Sequence, residues 1–258
     1  MIPIRDNIPS RTRPWVNYAI IILTCWMFFL QLRAGDRGQD PFAESYGLVP
    51  LRLTHPGKTI RIPEQKFDPH LGEITTRYHD IEPAPFNPWW TLLTCIFMHG
   101  GWLHLIGNMW FLYIFGDNVE DRLGHGRYLL FYLGCGVAAS LAHFVTNLDS
   151  PVPTVGASGA IAGVMGAYLL LYPRARVLTI IPIIILFYTV VVPAPIFIGI
   201  WFVFQIVNGL NSFGSTVAEG VAWWAHIGGF VAGMLAVIFL KMTKWLNPPP
   251  RAAINPRW

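Results

Sequence analysis

The 258-residue chain is 53% hydrophobic and only 12% charged, against roughly a quarter charged residues in a soluble domain, which excludes an ordinary water-soluble globular protein. The net charge of +4 does not mark a nucleic-acid binder, because the basic residues flank apolar runs instead of forming a polar stripe. Cys25, Cys95 and Cys135 lack CxxC spacing and fall in or beside apolar segments, so they read as buried thiols and not as a disulfide framework or zinc knuckle.

Residues 1–14 place Arg5, Arg11 and Arg13 ahead of the first apolar run, 15–32. No small-residue cleavage site follows that run, so it reads as a retained span. A span needs ~20 apolar residues, ~17 at the lower limit, and the further candidates are 102–118, 128–145, 157–172, one within 177–210, and 221–240. Segment 33–101, with eight prolines among mixed charges, reads as an irregular external loop without a core of its own. Cytoplasmic loops are enriched in Lys and Arg. The basic residues cluster at Arg5, Arg11 and Arg13, at Arg122 and Arg127, at Arg174 and Arg176, and from Lys241 onward, whereas 146–156 and 211–220 have none. That alternation survives only if 177–210 crosses once. The expectation is therefore an all-α bundle of six transmembrane helices with both ends cytoplasmic, a membrane domain over 15–246 and a disordered tail over 247–258. Pro182, Pro193 and Pro195 interrupt the long fifth region, so 177–192 is expected to lie partly in the membrane plane or to lengthen the fifth helix.

Polar side chains inside spans are costly and mark functional sites or buried pairs. Here they are His104, Asn108, Ser158, Gln205 and His226. In a six-span topology the second, fourth and sixth spans run inward, so His104, Asn108 and Ser158 lie near the outer surface. His226 is about six residues, ~9 Å, into the sixth, in the same outer slab. His104 and Asn108 are spaced i, i+4 and share one helix face, as a donor pair for an oxyanion would. Ser158 sits in Gly156-Ala157-Ser158-Gly159-Ala160, a helix start whose free N–H groups favour a developing negative oxygen. Gly159, Gly163 and Gly166 match Gly229 and Gly233 as small residues that let two membrane helices approach closely. Close approach is what a Ser hydroxyl and a His base require.

Taken singly, a Ser among glycines is more often a cap, Asn108 interhelical glue and Gln205 structural. His99, at a loop–helix junction, reads equally as a hydrogen-bonded loop residue or as one lining the site, and His125 and His143 read as interfacial residues. The cluster Asp117, Glu120, Asp121 and Arg122 reads as ion-paired or solvated. Occurrence of Ser158 and His226 at one depth favours a catalytic pair.

Four ordered stretches carry a likeness: His99-Gly-Gly-Trp-Leu-His104-Leu-Ile-Gly-Asn108, Gly116-Asp-Asn-Val-Glu120-Asp-Arg122-Leu-Gly124, Gly156-Ala-Ser158-Gly159 and Ala225-His226-Ile-Gly-Gly229. Together they resemble the rhomboid family of intramembrane serine proteases, of the bacterial six-span type. The resemblance implies Ser158 as nucleophile and His226 as base in a dyad without an acid, and no Asp or Glu occurs in the sixth span. It also implies His104 and Asn108 with the Ser158 N–H as oxyanion hole, Gly156 shaping the entering loop, and a gate formed by Trp201, Phe202 and Phe204 with the cap loop 211–220. Two positions depart from the pattern. Trp90 is followed by Thr91 where a Trp-Arg pair is common, and Ala162 stands where some members stack an aromatic on the histidine.

The expected function is cleavage of transmembrane protein substrates near the outer face of a bacterial cytoplasmic membrane. Membrane lipid and the substrates are the expected partners, with no metal, cofactor or nucleic acid. The rivals are a non-catalytic rhomboid-like protein that escorts membrane clients and a small transporter. An intramembrane metalloprotease would need HExxH, which does not occur.

Overall fold

The computed structural model describes residues 1–35, 40–68, 73–183, 186–212 and 221–249. In chain order these form β1 (Ile2–Asp6), α1 (Trp15–Ala34), α2 (Pro41–Tyr46), α3 (Pro50–Thr54), β2 (Ile60–Asp68) and β3 (Glu73–Ile81). Next come α4 (Thr91–Thr94), α5 (Trp102–Leu123), α6 (His125–Thr146), α7 (Ser158–Leu171), β4 (Arg176–Ile183), β5 (Leu186–Pro193), α8 (Ala194–Asn211) and α9 (Trp223–Met242). The protein is a mostly helical, polytopic membrane bundle. Helices α1, α6, α8 and α9 are long and apolar enough to cross a membrane. Helix α7 has only 14 residues, and α5 carries Asp117, Glu120, Asp121 and Arg122 at its end.

Helix α7 is the hub, packed against α9, α6, α5 and α8. Its small side chains let it sit there. A Cβ built on Gly229 of α9 would meet the Gly159 carbonyl oxygen at 2.0 Å, and one on Gly233 would meet that of Gly163 at 2.0 Å. On the facing side a Cβ on Gly163 would strike the Cys135 Cβ of α6 at 2.6 Å. Without a hydrophobic drive between helices in lipid, such close packing is what holds them.

The acidic end of α5 is held by an ion pair and by hydrogen bonds to neighbouring segments, Glu120 pairing with His125. The buried Glu120 carboxylate accepts from the backbone N–H groups of Val16 at 3.0 Å and Asn17 at 2.7 Å, so a neighbouring helix caps the positive end of α1. Asp121 accepts from the Thr12 N–H and hydroxyl at 3.1 and 2.8 Å, and Ser10 donates to Asp117 at 2.6 Å. Asn247 N–H donates to the Arg122 carbonyl at 2.7 Å, and Arg122 Nε returns a bond to the Asn247 carbonyl at 2.9 Å. Residues 10–17 and Asn247 thus meet at the same end of α5.

Two readings of the sequence are corrected. Segment 177–192 does not lengthen the fifth helix: β4 and β5 form a hairpin pairing Arg176 with Pro193 through Ile183 with Leu186. Strand β1 adds antiparallel to β4, from Ile2 opposite Ile180 to Asp6 opposite Val177. The β-branched and aromatic run Phe187-Tyr188-Thr189-Val190-Val191-Val192 suits strand geometry, and Pro193 and Pro195 fall where a following helix tolerates proline. Segment 33–101 is also organised. Strands β2 and β3 pair Ile60 with Ile81 through Asp68 with Glu73, and Val49, Ile60 and Ile81 form a small apolar cluster. Arg52, 1% exposed, donates to the carbonyls of Glu44 at 2.7 Å and Glu82 at 3.0 Å, which ties this cluster together.

Two outcomes follow from this packing. Gly233→Val forces α7 and α9 apart and lowers stability by about 1–3 kcal/mol or more, read as a lower thermal midpoint in detergent micelles, whereas Gly134→Ala, with nothing near its Cβ, leaves the midpoint unchanged. Burial pushes the Asp6 carboxyl up from 3.8 to about 7, with the Tyr168 hydroxyl opposing and Asp117 adding to the rise. A raised carboxyl stabilises the docked strand below the ordinary carboxylate range, and that contribution is lost as pH rises through about 7. Tryptic cutting at Arg5, normalised to an unstructured peptide, is therefore expected to accelerate between pH 6 and pH 8.5, and Asp6→Asn to flatten the change.

Candidate active site

Ser158 is the first residue of α7, so its amide and those of Gly159 and Ala160 have no intrahelical acceptor. The preceding loop is held from outside the bundle. Leu48 and Thr154 exchange backbone bonds of 2.9 and 2.8 Å, Leu51 N–H donates to the Ser150 carbonyl at 3.0 Å, and Gly156 N–H donates to the Cys95 carbonyl at 2.9 Å. Gly156 has φ +133, a left-handed conformation that favours glycine. A Cβ there would also lie 2.8 Å from the His104 ring.

His226, in the first turns of α9, reaches across so that its Nε2 is 2.7 Å from Ser158 Oγ. Its Nδ1 lies 2.8 Å from Gln205 Oε1 of α8. The ring packs against Trp201, centroids 5.8 Å apart, and edge-on to Trp223 at 6.3 Å. His226 is 9% exposed and Gln205 3%.

From α5, His104 brings its ring over Gly156. Its Nδ1 accepts from the Gly100 N–H at 3.4 Å, so the ring proton is assigned to Nε2, the nitrogen on the Ser158 side. Asn108 is buried, and its Nδ2 has no hydrogen-bond partner among the described residues. The His104 ring and the α7 amides thus lie on either side of the Gly156–Ser158 turn. A small cavity opens there as well, walled by Cys95, Gly136, Ser140, His143, Thr154 and Gly156. Among the described residues no group of three or more His, Cys, Asp or Glu is arranged to hold a metal ion.

The structure therefore brings Ser158, His226, His104 and Gly156 together, with Gly159 and Gly229 as the contact that lets α7 and α9 approach, while Asn108 lies buried one turn beyond His104 on α5. Of the gate candidates, Trp201 and Phe202 turn inward, the latter stacked on Phe230 with centroids 4.0 Å apart. Phe204 is 57% exposed and meets Trp223 edge-on. The cap loop 211–220 lies outside the described residues over 213–220. Gln205 and His143 were underread. Gln205, classed as structural, contacts His226. His143 bonds Thr154 Oγ1 at 2.9 Å and walls the cavity. His99 is fully buried against His104, centroids 5.1 Å apart. A glutamine within an otherwise apolar span was the one signal available for Gln205.

This is a multi-pass helical membrane protein with a serine–histidine pair at one end of its bundle. The Rhomboid domain family model matches residues 87–243, more than half of the chain, and the chain belongs to the rhomboid family. It is similar to the rhomboid protease GluP of Bacillus subtilis (strain 168), 38% identical over 158 residues covering 60% of this chain and 27% of that protein. It also resembles the putative rhomboid protease YdcA of the same organism, 42% identical over 81 residues, covering 31% and 40%. Rhomboid protein 1, mitochondrial, of Saccharomyces cerevisiae is 29% identical over 150 residues, covering 56% and 40%. The chain thus spans between about a quarter and two-fifths of the length of these relatives.

Gly156→Ala is expected to displace His104, and so to slow modification of Ser158 by a fluorophosphonate by about tenfold or more, with the thermal midpoint lowered by the strained backbone at that position.

Proposed function

We propose that this protein is an intramembrane serine endopeptidase that cuts transmembrane polypeptides near the outer face of the membrane. The observation that carries the reading is the 2.7 Å contact between Ser158 Oγ and His226 Nε2, at a helix N-terminus with the His104 ring beside it. The names of the GluP and YdcA relatives support it.

In this reading His226 Nε2 takes the Ser158 proton as Oγ bonds to the scissile carbonyl carbon. The oxyanion forms in front of the Ser158 N–H, His104 Nε2–H and Asn108 Nδ2–H, donors held in place before charge develops. As the C–N bond breaks, His226 returns the proton to the leaving amine. Water then attacks the acyl-enzyme, giving its proton to His226 and restoring the serine with a carboxylic product. Peptide carbonyls are tied up inside a helix, so substrates need helix-breaking or small residues at the cut. The small cavity beside Ser158 suits a small side chain next to the scissile bond.

Six spans over 15–246 and cytoplasmic termini in a bacterial cytoplasmic membrane complete the reading. The meeting of residues 10–17 and Asn247 at the inner end of α5 supports an even count. Helix α8, with Trp201, Phe202 and Phe204, is the gate through which a substrate helix leaves lipid for the site.

The test is cleavage of a panel of membrane-spanning peptides by purified protein. Ser158→Ala and His226→Ala should abolish cleavage, Ser158→Ala should abolish fluorophosphonate labelling, and chelators should leave the wild type unaffected. Labelling that persists in Ser158→Ala refutes the assignment.

A further inference from the structure

A histidine base facing a serine is competent in one tautomer only, with the proton on Nδ1 and the lone pair of Nε2 toward Oγ. Something must hold that tautomer and the plane of the ring. Serine hydrolases of the triad type use a buried carboxylate for this, but neither α8 nor α9 contains an Asp or Glu. A carboxylate buried at this depth would bring its own desolvation cost.

We propose that Gln205 is the positioning residue of the base, and that its place on α8 makes the base correctly set only while α8 is seated against α9. The inference rests on the protease reading and deepens it. The amide orientation follows from its second bond: Gln205 Nε2 donates to the Trp201 carbonyl at 3.0 Å, one turn back on the same helix. That carbonyl accepts only from the NH2 group, so Oε1 is the atom turned to His226, 2.8 Å from Nδ1. An amide oxygen only accepts. Nδ1 therefore carries the proton, and Nε2 offers its lone pair to Ser158 Oγ at 2.7 Å. A neutral amide achieves this without burying a charge.

The division of labour among helices supplies the regulation. Ser158 stands on α7, His104 and Asn108 on α5, and His226 on α9, whereas the acceptor Gln205 and the Trp201 ring packed on His226 both ride on α8. Helix α8 is seated on α9 by Phe202 stacked on Phe230 and by Gly209, where an added Cβ would come within 3.1 Å of Ile227 Cδ1 and 3.5 Å of Trp223 Cβ. Moving α8 outward leaves Ser158 and His226 adjacent but frees the imidazole to turn and to shift its proton. An opened enzyme is thus idle, and proton transfer resumes when α8 closes over a bound segment.

The experiment uses the full chain in micelles with a membrane-spanning reporter peptide, comparing wild type, Gln205→Leu, Gln205→Glu, Gly209→Val and the Gln205→Leu/Gly209→Val pair. Rates are read with the His226 ring nitrogens, observed by 15N NMR and assigned by difference from His226→Ala. Gln205→Leu should lower kcat about tenfold to a hundredfold, the range for losing a group that orients a histidine, with KM within about twofold, and should show mixed tautomers. Gln205→Glu keeps an acceptor oxygen and should retain the Nδ1–H tautomer and most of kcat. Gly209→Val should reproduce the kcat loss, and the pair should be no worse than Gln205→Leu alone. Wild-type kcat with an unchanged tautomer in Gln205→Leu overturns the positioning role, and additive losses in the pair overturn the dependence on α8. If the wild type neither cleaves nor takes up a fluorophosphonate, the protease reading has failed, and the tautomer measurement still decides whether Gln205 sets His226.

Discussion

The approach of α7 to α9 governs the rest of the molecule. At Gly159 with Gly229 and at Gly163 with Gly233 the backbones are so close that a single methyl would sit 2.0 Å from a carbonyl oxygen, and no side chain separates the two helices there. That contact sets the distance over which His226 must reach to Ser158. It also leaves α7 too short and too enclosed to be held by lipid, so α6, α5 and α8 wrap around it, and its 14 residues suffice because protein surrounds them.

Several strongly polar groups in this apolar chain are placed by bonds that could not form in hydrocarbon alone. Glu120 is anchored by the first amides of α1, Asp121 by Thr12, and Asn17 by the Leu112 carbonyl at 3.0 Å with Tyr128 donating to it at 2.7 Å. At the opposite end, Gln31 bonds the backbone of His99 in both directions, 2.7 and 3.1 Å, and so fixes the turn that leads into His104. The two ends of α5 are thereby pinned to α1, and α5 carries His104 and Asn108. Asn108 Nδ2 is buried without a partner among the described residues, and Ser158 lines a small cavity.

The misread segments share one physical cause. The run 177–192 is apolar, and an apolar run of that length fits a helix and a strand equally well by pattern. The β1 strand decides between them, more than 160 residues away in sequence, and Ile2-Pro-Ile-Arg-Asp6 gives no hint of a partner. The outer segment 33–101 looked irregular because its organisation hangs on Arg52, whose partners are the backbone carbonyls of Glu44 and Glu82, and backbone acceptors leave no mark in a sequence. Gln205 was dismissed for a similar reason: as a lone polar residue in a span it resembles helix glue, and only the turn of α8 shows it facing the base.

The sequence alone determined the class of protein and where most of its long apolar helices run, and it singled out Ser158, His226, His104, Asn108 and the glycines around them as candidates. These are legible because a bilayer penalises polar groups so heavily that those retained stand out, and because helix spacing converts directly into depth. The tertiary structure decided what faces what: that Glu120 caps α1, that the chain start pairs with β4, that the outer segment braces the loop before Ser158, and that an amide on α8 meets Nδ1 of His226. Those are contacts between elements far apart in the chain, set by rotation of helices about their own axes and by pairing of strand edges, and neither quantity is written in local composition.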